Sequence, residues 1–218
     1  RDHLDANAGA LARGDRVVML LGRQIAWWEV LTACLRMGAV ASPGTAQLSA
    51  KDLAYRINAA GATCVVTDTA NAAKVDAVIG ECPSLKARVL VDGSREGWID
   101  YASAVRAASE AFVTVDSAAQ DEALCYFTSG TTGQPKMCMH AHAYGLAHQS
   151  TGRYWLDLKP SDLHWNCSDS GWAKAAWSSY FGPWNCGAAI FVHHTQGFSA
   201  TRTLELLDRS RTYAPDIP

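Results

Sequence analysis

Short runs of β-favouring apolar residues alternate along this chain with longer stretches in which apolar residues recur every three or four positions. The short runs are typical of strands buried on both faces, and the longer stretches are typical of amphipathic helices. The predicted strands cover residues 16–20, 63–68, 87–92, 122–127, 163–167 and 188–192. Because strands and helices in alternation form βαβ units, the sequence predicts an α/β fold of layered βαβ units with mostly parallel sheets.

The predicted helices cover residues 26–38, 49–61, 71–79, 101–109, 140–155, 172–181 and 199–211. Gly38 and Gly61 stand where two of these helices should end, because glycine readily adopts the left-handed conformation of a helix C-terminus. Ser49 stands where a helix should begin, with Asp52 three residues later as a weak capping box. Residues 109–122 are polar and weakly patterned, so we expect a soft subdomain boundary there.

Composition narrows the class of protein. The 218 residues suffice for one large domain or two small ones, and 19 basic against 21 acidic side chains give no indication of a nucleic-acid partner. No apolar run approaches the roughly 20 residues of a membrane span. The seven cysteines are widely spaced without a C-x-x-C pair, which indicates neither a zinc site nor a disulfide framework. We therefore expect a reducing, cytoplasmic location.

The string "TSGTTGQPK" directly follows the apolar run "ALCYF". It should therefore emerge from the carboxyl end of a buried strand, where open α/β sheets bind their ligands. Gly130 and Gly133 allow the backbone to approach a ligand closely, the hydroxyl groups offer donors, and Lys136 adds a positive charge. We therefore predict a phosphate-binding loop. Its candidate residues are Thr128, Ser129, Gly130, Thr131, Thr132, Gly133, Gln134, Pro135 and Lys136.

Two other interpretations of this loop fit its residues less well. The alternative without a function is a flexible, solvated hairpin tip. It does not account for hydroxyls, two glycines and a Pro-Lys pair together after a buried strand. A Walker A loop requires lysine directly after glycine and a hydroxyl residue next, whereas Gln134 and Pro135 intervene here and Met137 follows. The sequence therefore disfavours a P-loop kinase or GTPase.

The loop resembles the phosphate-binding signature of the adenylate-forming superfamily, which includes acyl-CoA synthetases, adenylation domains of peptide synthetases and luciferases. Three further strings resemble medium-chain acyl-CoA synthetases and acetyl-CoA synthetase-like ligases. They are "WWEVLTACLRMGAVASPGTAQLSAKDLAYRI", "ECPSLKARVLVDGSREGWID" and "SDLHWNCSDSGWAKAAWSSYFGPWNCGAAIFVHH". The resemblance runs from about Asp15 to about Arg209, nearly the whole chain. It implies the large N-terminal AMP-binding domain of such an enzyme.

The resemblance also implies a two-step reaction that uses ATP, Mg²⁺ and coenzyme A. A small carboxylic acid first attacks the α-phosphate of ATP to give an acyl-adenylate and pyrophosphate, and the thiol of coenzyme A then displaces AMP. A loop of donors aimed at the β- and γ-phosphates would stabilise the departing pyrophosphate together with Mg²⁺. On this interpretation, Lys136 is the catalytic residue of the chain.

The resemblance places an acyl-binding pocket just after the Gly-Trp pair of "SDSGW". The matching residues of this chain are Trp172, Ala173 and Lys174. The small Ala173 would leave room for a chain longer than acetate, whereas Lys174 departs from an apolar lining. We therefore expect a medium-chain or related fatty acid as the substrate.

The remaining polar candidates point to supporting roles. His140 and His142, and likewise His193 and His194, do not have the spacing of a zinc signature, so no metal site is predicted from them. Related synthetases often carry histidine at the position of His140, which makes it a candidate neighbour of the phosphates. Asp169 is expected to orient its loop or cap the following helix rather than act as a general base.

The resemblance implies a longer enzyme, because this sequence contains no Tyr-Gly-x-Thr-Glu string and no glycine-flanked lysine of a small C-terminal domain. We therefore expect residues 1–218 to be an incomplete N-terminal AMP-binding domain that cannot complete either half-reaction alone. Two alternatives stay open at this point. One is an adenylation domain that passes an acyl or aryl group to a carrier protein, and the other is a non-catalytic nucleotide-binding remnant.

Overall fold

The computed structural model describes residues 11–128, 133–195, 197 and 199–210. The strands are β1 Arg16–Leu20, β2 Val40–Gly44, β3 Cys64–Thr67, β4 Ala87–Leu90, β5 Ile99–Asp100, β6 Glu122–Thr128, β7 Lys136–Ala141, β8 Leu163–His164 and β9 Ala189–Ile190. The helices are α1 Ile25–Met37, α2 Ala50–Ala60, α3 Thr69–Asp76, α4 Tyr101–Ala107, α5 Ala143–Tyr154, α6 Ala173–Ala176, α7 Gly182–Asn185 and α8 Ala200–Ser210. A 3₁₀ turn covers Ile79–Glu81, and a π-helical turn, Trp177–Phe181, joins α6 to α7.

Seven strands form one sheet in the order β5-β4-β3-β1-β2-β6-β7. Every neighbouring pair is parallel except β6 and β7, which form an antiparallel hairpin. The short strands β8 and β9 form a separate parallel pair. Because helices connect the parallel strands, the predicted α/β fold with mostly parallel sheets is confirmed.

Strands β1 to β4 and the middle of β6 are mostly buried, as their near-continuous apolar residues predict. On β1, Val17 and Met19 belong to one apolar cluster, whereas Val18 and Leu20 belong to another. Alternate residues of a strand point to opposite faces, so these clusters are the two sides of the sheet. The first cluster includes α1 and parts of residues 175–180, and the second includes α2 and α3.

The predicted helix ends are confirmed. Gly38 and Gly61 follow α1 and α2 with φ angles of 70° and 59°, in the left-handed region that glycine adopts without strain. The hydroxyl of Ser49 accepts a hydrogen bond from the Asp52 amide at 3.2 Å, which satisfies one of the free donors at the start of α2.

The structure contains strands that the sequence patterns did not predict. Strand β2, "VASPG", reads as a turn because it contains proline and glycine, yet it lies fully buried between β1 and β6. It pairs with β1 along its whole length but with β6 at Ala41 alone, so Pro43 lies beyond that pairing. Neighbouring strands thus override the weak β-propensity of this segment. The two-residue strand β5 at the sheet edge also has no clear sequence pattern.

The helix predicted from residue 140 begins later. Residues 136–141, "KMCMHA", form β7 because β6 offers an unpaired edge directly before them, and α5 starts at Ala143. Residues 108–121 connect α4 to β6 without helix or strand, and β6 joins the same sheet as the preceding strands. The subdomain boundary expected near residues 109–122 stays a prediction.

The π-helical turn lies where α5 packs against residues 177–185. A Cβ atom at Gly152 of α5 would lie 2.5 Å from the carbonyl oxygen of Gly182, so only glycine allows this approach. Within the described part of the chain, no helix is long and apolar enough to cross a membrane.

We predict that Gly152→Ala lowers the free energy of unfolding by about 1–3 kcal/mol, because the added methyl group overpacks a backbone contact. The measurement is the urea midpoint of unfolding. Gly80→Ala is the matched control, since a Cβ atom there would meet nothing within 4 Å. Equal midpoints for the two variants would contradict the importance of this contact.

Candidate functional site

The predicted phosphate loop lies at the tip of the β6–β7 hairpin. Thr128, the last residue of β6, pairs with Lys136, the first residue of β7. Both ends of the loop therefore lie at the carboxyl ends of the parallel strands. Of the predicted loop residues, Ser129, Gly130, Thr131 and Thr132 lie outside the described residues.

The stem of the hairpin is held by α2. The Tyr55 hydroxyl donates a hydrogen bond of 2.9 Å to the carbonyl oxygen of Pro135, at the far end of the loop. The Tyr55 ring also meets the Phe127 ring edge-on, with centroids 6.2 Å apart. On the same ring lies the Arg56 guanidinium, 5.0 Å from its centroid. Both strands of the stem are therefore fixed against one helix.

The described end of the loop is open and exposed. Gly133 has a φ angle of 107°, which a residue with a side chain adopts only under strain. Gln134 and Lys136 are exposed, and Thr128 is exposed at the other end. Lysine and threonine side chains at these positions are therefore accessible to a ligand that occupies the hairpin tip.

Lys136 shares one face of the hairpin with Cys138 and His140, because alternate residues of a strand point the same way. The sulfur of Cys138 lies 3.7 Å from the Nε2 atom of His140, which confirms that these two side chains are neighbours. Tyr126 pairs with Cys138 across the hairpin, and its ring meets that of His140 at 6.3 Å. The predicted proximity of His140 to the phosphates stays a prediction, because the loop tip lies outside the described residues.

A row of rings continues from this face along α5. The Tyr144 ring lies between those of His140 and His148, with both centroid distances 4.4 Å, and His148 stacks on Trp177 at 5.7 Å. Partial burial lowers the pKa of His140 below its ordinary value. Burial also lowers the pKa of His148, and the charge of His140 lowers it further. Both histidines therefore favour the neutral form in the folded protein.

The segment "SDSGW" packs against the turn after β2. Asp169 accepts a hydrogen bond of 2.9 Å from the Thr45 hydroxyl and one of 2.7 Å from the Gly171 amide. A Cβ atom at Gly171 would collide with main-chain atoms of Gly44 and Thr45. Asp169 thus orients its own loop, as the sequence predicted, and Gly171 permits a direct contact of two backbones.

The predicted acyl-binding residues begin the helix after this segment. Trp172 is 64% exposed, whereas Ala173 and Lys174 are half-buried in α6. Ala173 packs against the apolar cluster that contains Tyr126. The carbonyl oxygen of Lys174 accepts a hydrogen bond from the Ser178 hydroxyl. Their role in acyl binding stays a prediction.

Sequence reasoning missed three polar residues that follow strands at the same sheet edge. Gln24 donates a hydrogen bond of 2.8 Å to Asp68, which follows β3. Arg23 donates from its guanidinium to the carbonyl oxygen of Cys167, just before "SDSGW". The rule that ligands bind beyond the carboxyl ends of parallel strands could have identified these residues from their positions.

Comparison with known proteins identifies the family. The model of the family described as AMP-binding enzyme matches residues 2–213. This chain therefore belongs to the AMP-binding enzyme family. The resemblance to adenylate-forming enzymes that the loop and the further strings indicated is confirmed.

The chain is similar to curated acyl-CoA synthetases. It is 44% identical over 206 residues to acyl-coenzyme A synthetase ACSM3, mitochondrial, of Homo sapiens. The match covers 94% of this chain and 35% of that protein. It is 46% identical over 201 residues to acyl-coenzyme A synthetase ACSM5, mitochondrial, of Mus musculus, which covers 91% of this chain and 35% of that protein. The chain thus spans about a third of the length of these relatives. Because they are named mitochondrial, the expected cytoplasmic location is wrong.

Solved structures share the fold. An acyl-CoA synthetase of Brucella canis superposes with a TM-score of 0.84 at 27% identity, covering 94% of this chain and 38% of that one. The anthranilate CoA ligase AuaEII, in complex with anthranoyl-AMP, superposes with a TM-score of 0.85 at 22% identity, covering 91% of this chain and 39% of that one. The second likeness concerns the fold alone.

The lowered pKa values of His140 and His148 predict that stability depends on pH. Unfolding restores the ordinary pKa of 6.5 to His140 and His148, so the unfolded chain binds more protons than the folded one once the pH falls below that value. The free energy of unfolding should therefore fall as the pH decreases from about 8 to about 5. The measurement is the denaturant midpoint across this range.

His148→Gln should reduce the slope of stability against pH, because one of the histidines with a lowered pKa no longer titrates. Gln149→Ala is the control, since Gln149 is exposed on the same helix and its side chain does not titrate. If both variants kept the slope of the unmodified chain, the assigned cause would be wrong.

Proposed function

We propose that this chain is part of an ATP-dependent carboxylate–CoA ligase that acts on a medium-chain or related fatty acid. The observation that carries the proposal is the pairing of Thr128 with Lys136. It sets both ends of a glycine- and hydroxyl-rich loop at the carboxyl edge of a parallel sheet, where such folds bind ligands. The similarity to proteins named acyl-coenzyme A synthetases supports the same conclusion.

In the proposed reaction, a carboxylate oxygen of the fatty acid attacks the α-phosphorus of ATP. The new O–P bond gives an acyl-adenylate, and the electron pair of the broken bond leaves with pyrophosphate. Coenzyme A then attacks the acyl carbonyl through its thiol, and AMP leaves. The task of the loop is to hold the charge that gathers on the pyrophosphate, with Lys136 as its cationic group.

In the proposed reaction, Mg²⁺ binds as part of the substrate, Mg²⁺–ATP. Among the described residues, no group of three or more His, Cys, Asp or Glu side chains could hold a metal ion. Mg²⁺ commonly binds to nucleotide phosphates and water with only one or two carboxylates from the protein. The described residues therefore fit a metal that arrives with the nucleotide.

The half-buried Ala173 supports the choice of a longer acid. It packs beside the apolar cluster of Tyr126 and Tyr180, so a neighbouring acyl chain would meet apolar surface. The adjacent Trp172 exposes most of its ring. Together they offer a small residue and an aromatic surface at the start of one helix, which suits an alkyl chain.

We predict that Lys136→Ala lowers carboxylate-dependent ATP–pyrophosphate exchange by on the order of 10²-fold, or ~2.7 kcal/mol, because one preorganised contact to the departing charge is lost. The assay uses the full gene product that contains these residues. Lys86→Ala is the matched control, since Lys86 is also exposed but lies before β4, at the amino ends of the parallel strands. Unchanged exchange in the Lys136 variant would contradict the assigned role of the loop.

Ala173→Phe should change the acid preference of the same exchange reaction. The larger ring would occupy space predicted for the acyl chain, so exchange with octanoate should fall by at least about tenfold relative to exchange with propionate. The Lys136 variant provides the contrast, because it should slow both acids equally. An unaltered ratio of the two rates in the Ala173 variant would remove Ala173 from the acyl pocket.

A further inference from the structure

A pocket of about 300 Å³ lies between the strand ends of the two sheets. Arg23 follows β1 and Gln47 follows β2 on one side of it. Trp165 and His193 follow β8 and β9 on the other side, and Arg202 reaches it from α8. The pocket is therefore built from five separate segments, and none of the described residues of the hairpin loop lines it.

Two arginines give this pocket its positive charge. A histidine, a tryptophan, a glutamine and three hydroxyl residues also line it, and none of its described lining residues is a carboxylate. Guanidinium groups and indole N–H groups cannot accept hydrogen bonds. A complementary ligand must therefore offer many acceptors, as an anion does.

Trp165 provides a buried reporter group at this pocket. Its side chain is buried, at 4% exposure, and its Nε1 atom has no hydrogen-bond partner among the described residues. Its ring lies edge-on to those of Phe191 and His193. Trp165 is one of the residues that line the pocket, so a ligand bound there would change the surroundings of its indole ring.

The pocket is also electrostatically positive. Burial lowers the pKa of His193, and the positive charges of Arg202 and Arg23 lower it further. Within the part of the chain that the structure describes, neither arginine forms a salt bridge. The first turn of the 11-residue helix α8 contributes Arg202 and Thr203, so the positive end of the helix dipole adds to the field.

We infer that the pocket between Arg23, Trp165, His193 and Arg202 binds the phosphate groups of a small molecule. Its volume exceeds what one inorganic phosphate needs and falls at the lower end of the range for organic ligands. Two sources share this chemistry. One is free pyrophosphate, and the other is the phosphate-bearing end of coenzyme A. The choice of coenzyme A rests on the proposed function.

The test follows the indole N–H resonance of Trp165 in nitrogen-labelled protein, assigned by its loss in Trp165→Phe. The full gene product that contains these residues is titrated with pyrophosphate in one arm and with coenzyme A in the other. We expect a saturable shift of this resonance in at least one arm. Arg202→Gln should weaken binding by at least about tenfold, because a hydrogen bond to a charged group is lost.

Arg209→Gln is the matched control, since Arg209 is exposed on the same helix but does not line the pocket. It should leave binding unchanged. A shift in only one arm identifies the source of the phosphate and supports the inference. No saturable shift in either arm, or equal weakening by both arginine variants, would overturn it.

Lys136→Ala separates this inference from the proposed function. If the pocket is a site of its own, this variant should keep the Trp165 titration even where it slows ATP–pyrophosphate exchange. Loss of the Trp165 shift in the Lys136 variant would assign the shift to the loop and overturn the inference. Retained exchange with a retained shift would leave the pocket intact while contradicting the role of the loop.

Discussion

The direct contact between Gly171 and the backbone at the end of β2 determines how the two sheets of this protein face each other. A side chain at Gly171 would collide with Gly44 and Thr45, so the segment after β8 can approach this closely only with glycine. The Asp169–Thr45 hydrogen bond of 2.9 Å holds the same contact. Its consequence is that the carboxyl ends of both sheets meet at one pocket, which residues following β1, β2, β8 and β9 line together.

A second set of contacts keeps this arrangement rigid. Trp28 of α1 donates a hydrogen bond of 2.8 Å to the carbonyl oxygen of Ser179, and Thr32 and Tyr180 are joined through their hydroxyl groups at 2.7 Å. These bonds link a helix of the large sheet to the π-helical turn beside the small one. Hydrogen bonds of this kind specify one arrangement because polar groups that lose a partner on burial are costly. The hairpin of β6 and β7 can then present its loop from a fixed stem.

Several elements could be predicted from the residues alone because their signals are local. Apolar runs predicted β1, β3, β4 and β6, and Gly38 and Gly61 marked the ends of α1 and α2. Strand β2 could not be predicted, because "VASPG" has weak β-propensity and becomes a strand only between two neighbours. The strand β7 was mistaken for loop and helix for the same reason. The residues of a segment do not by themselves show which strand it will pair with.

The α/β class, the family and the phosphate-loop candidates could all be inferred from the amino-acid sequence, since each depends on residue types in a short contiguous pattern. The folded structure was needed to show that Cys138 and His140 are neighbours, and that Arg23, Trp165, His193 and Arg202 surround one pocket. Those residues are separated by long stretches of chain. They meet because parallel strands end at a common edge, and the register and packing that set this edge follow from the fold as a whole.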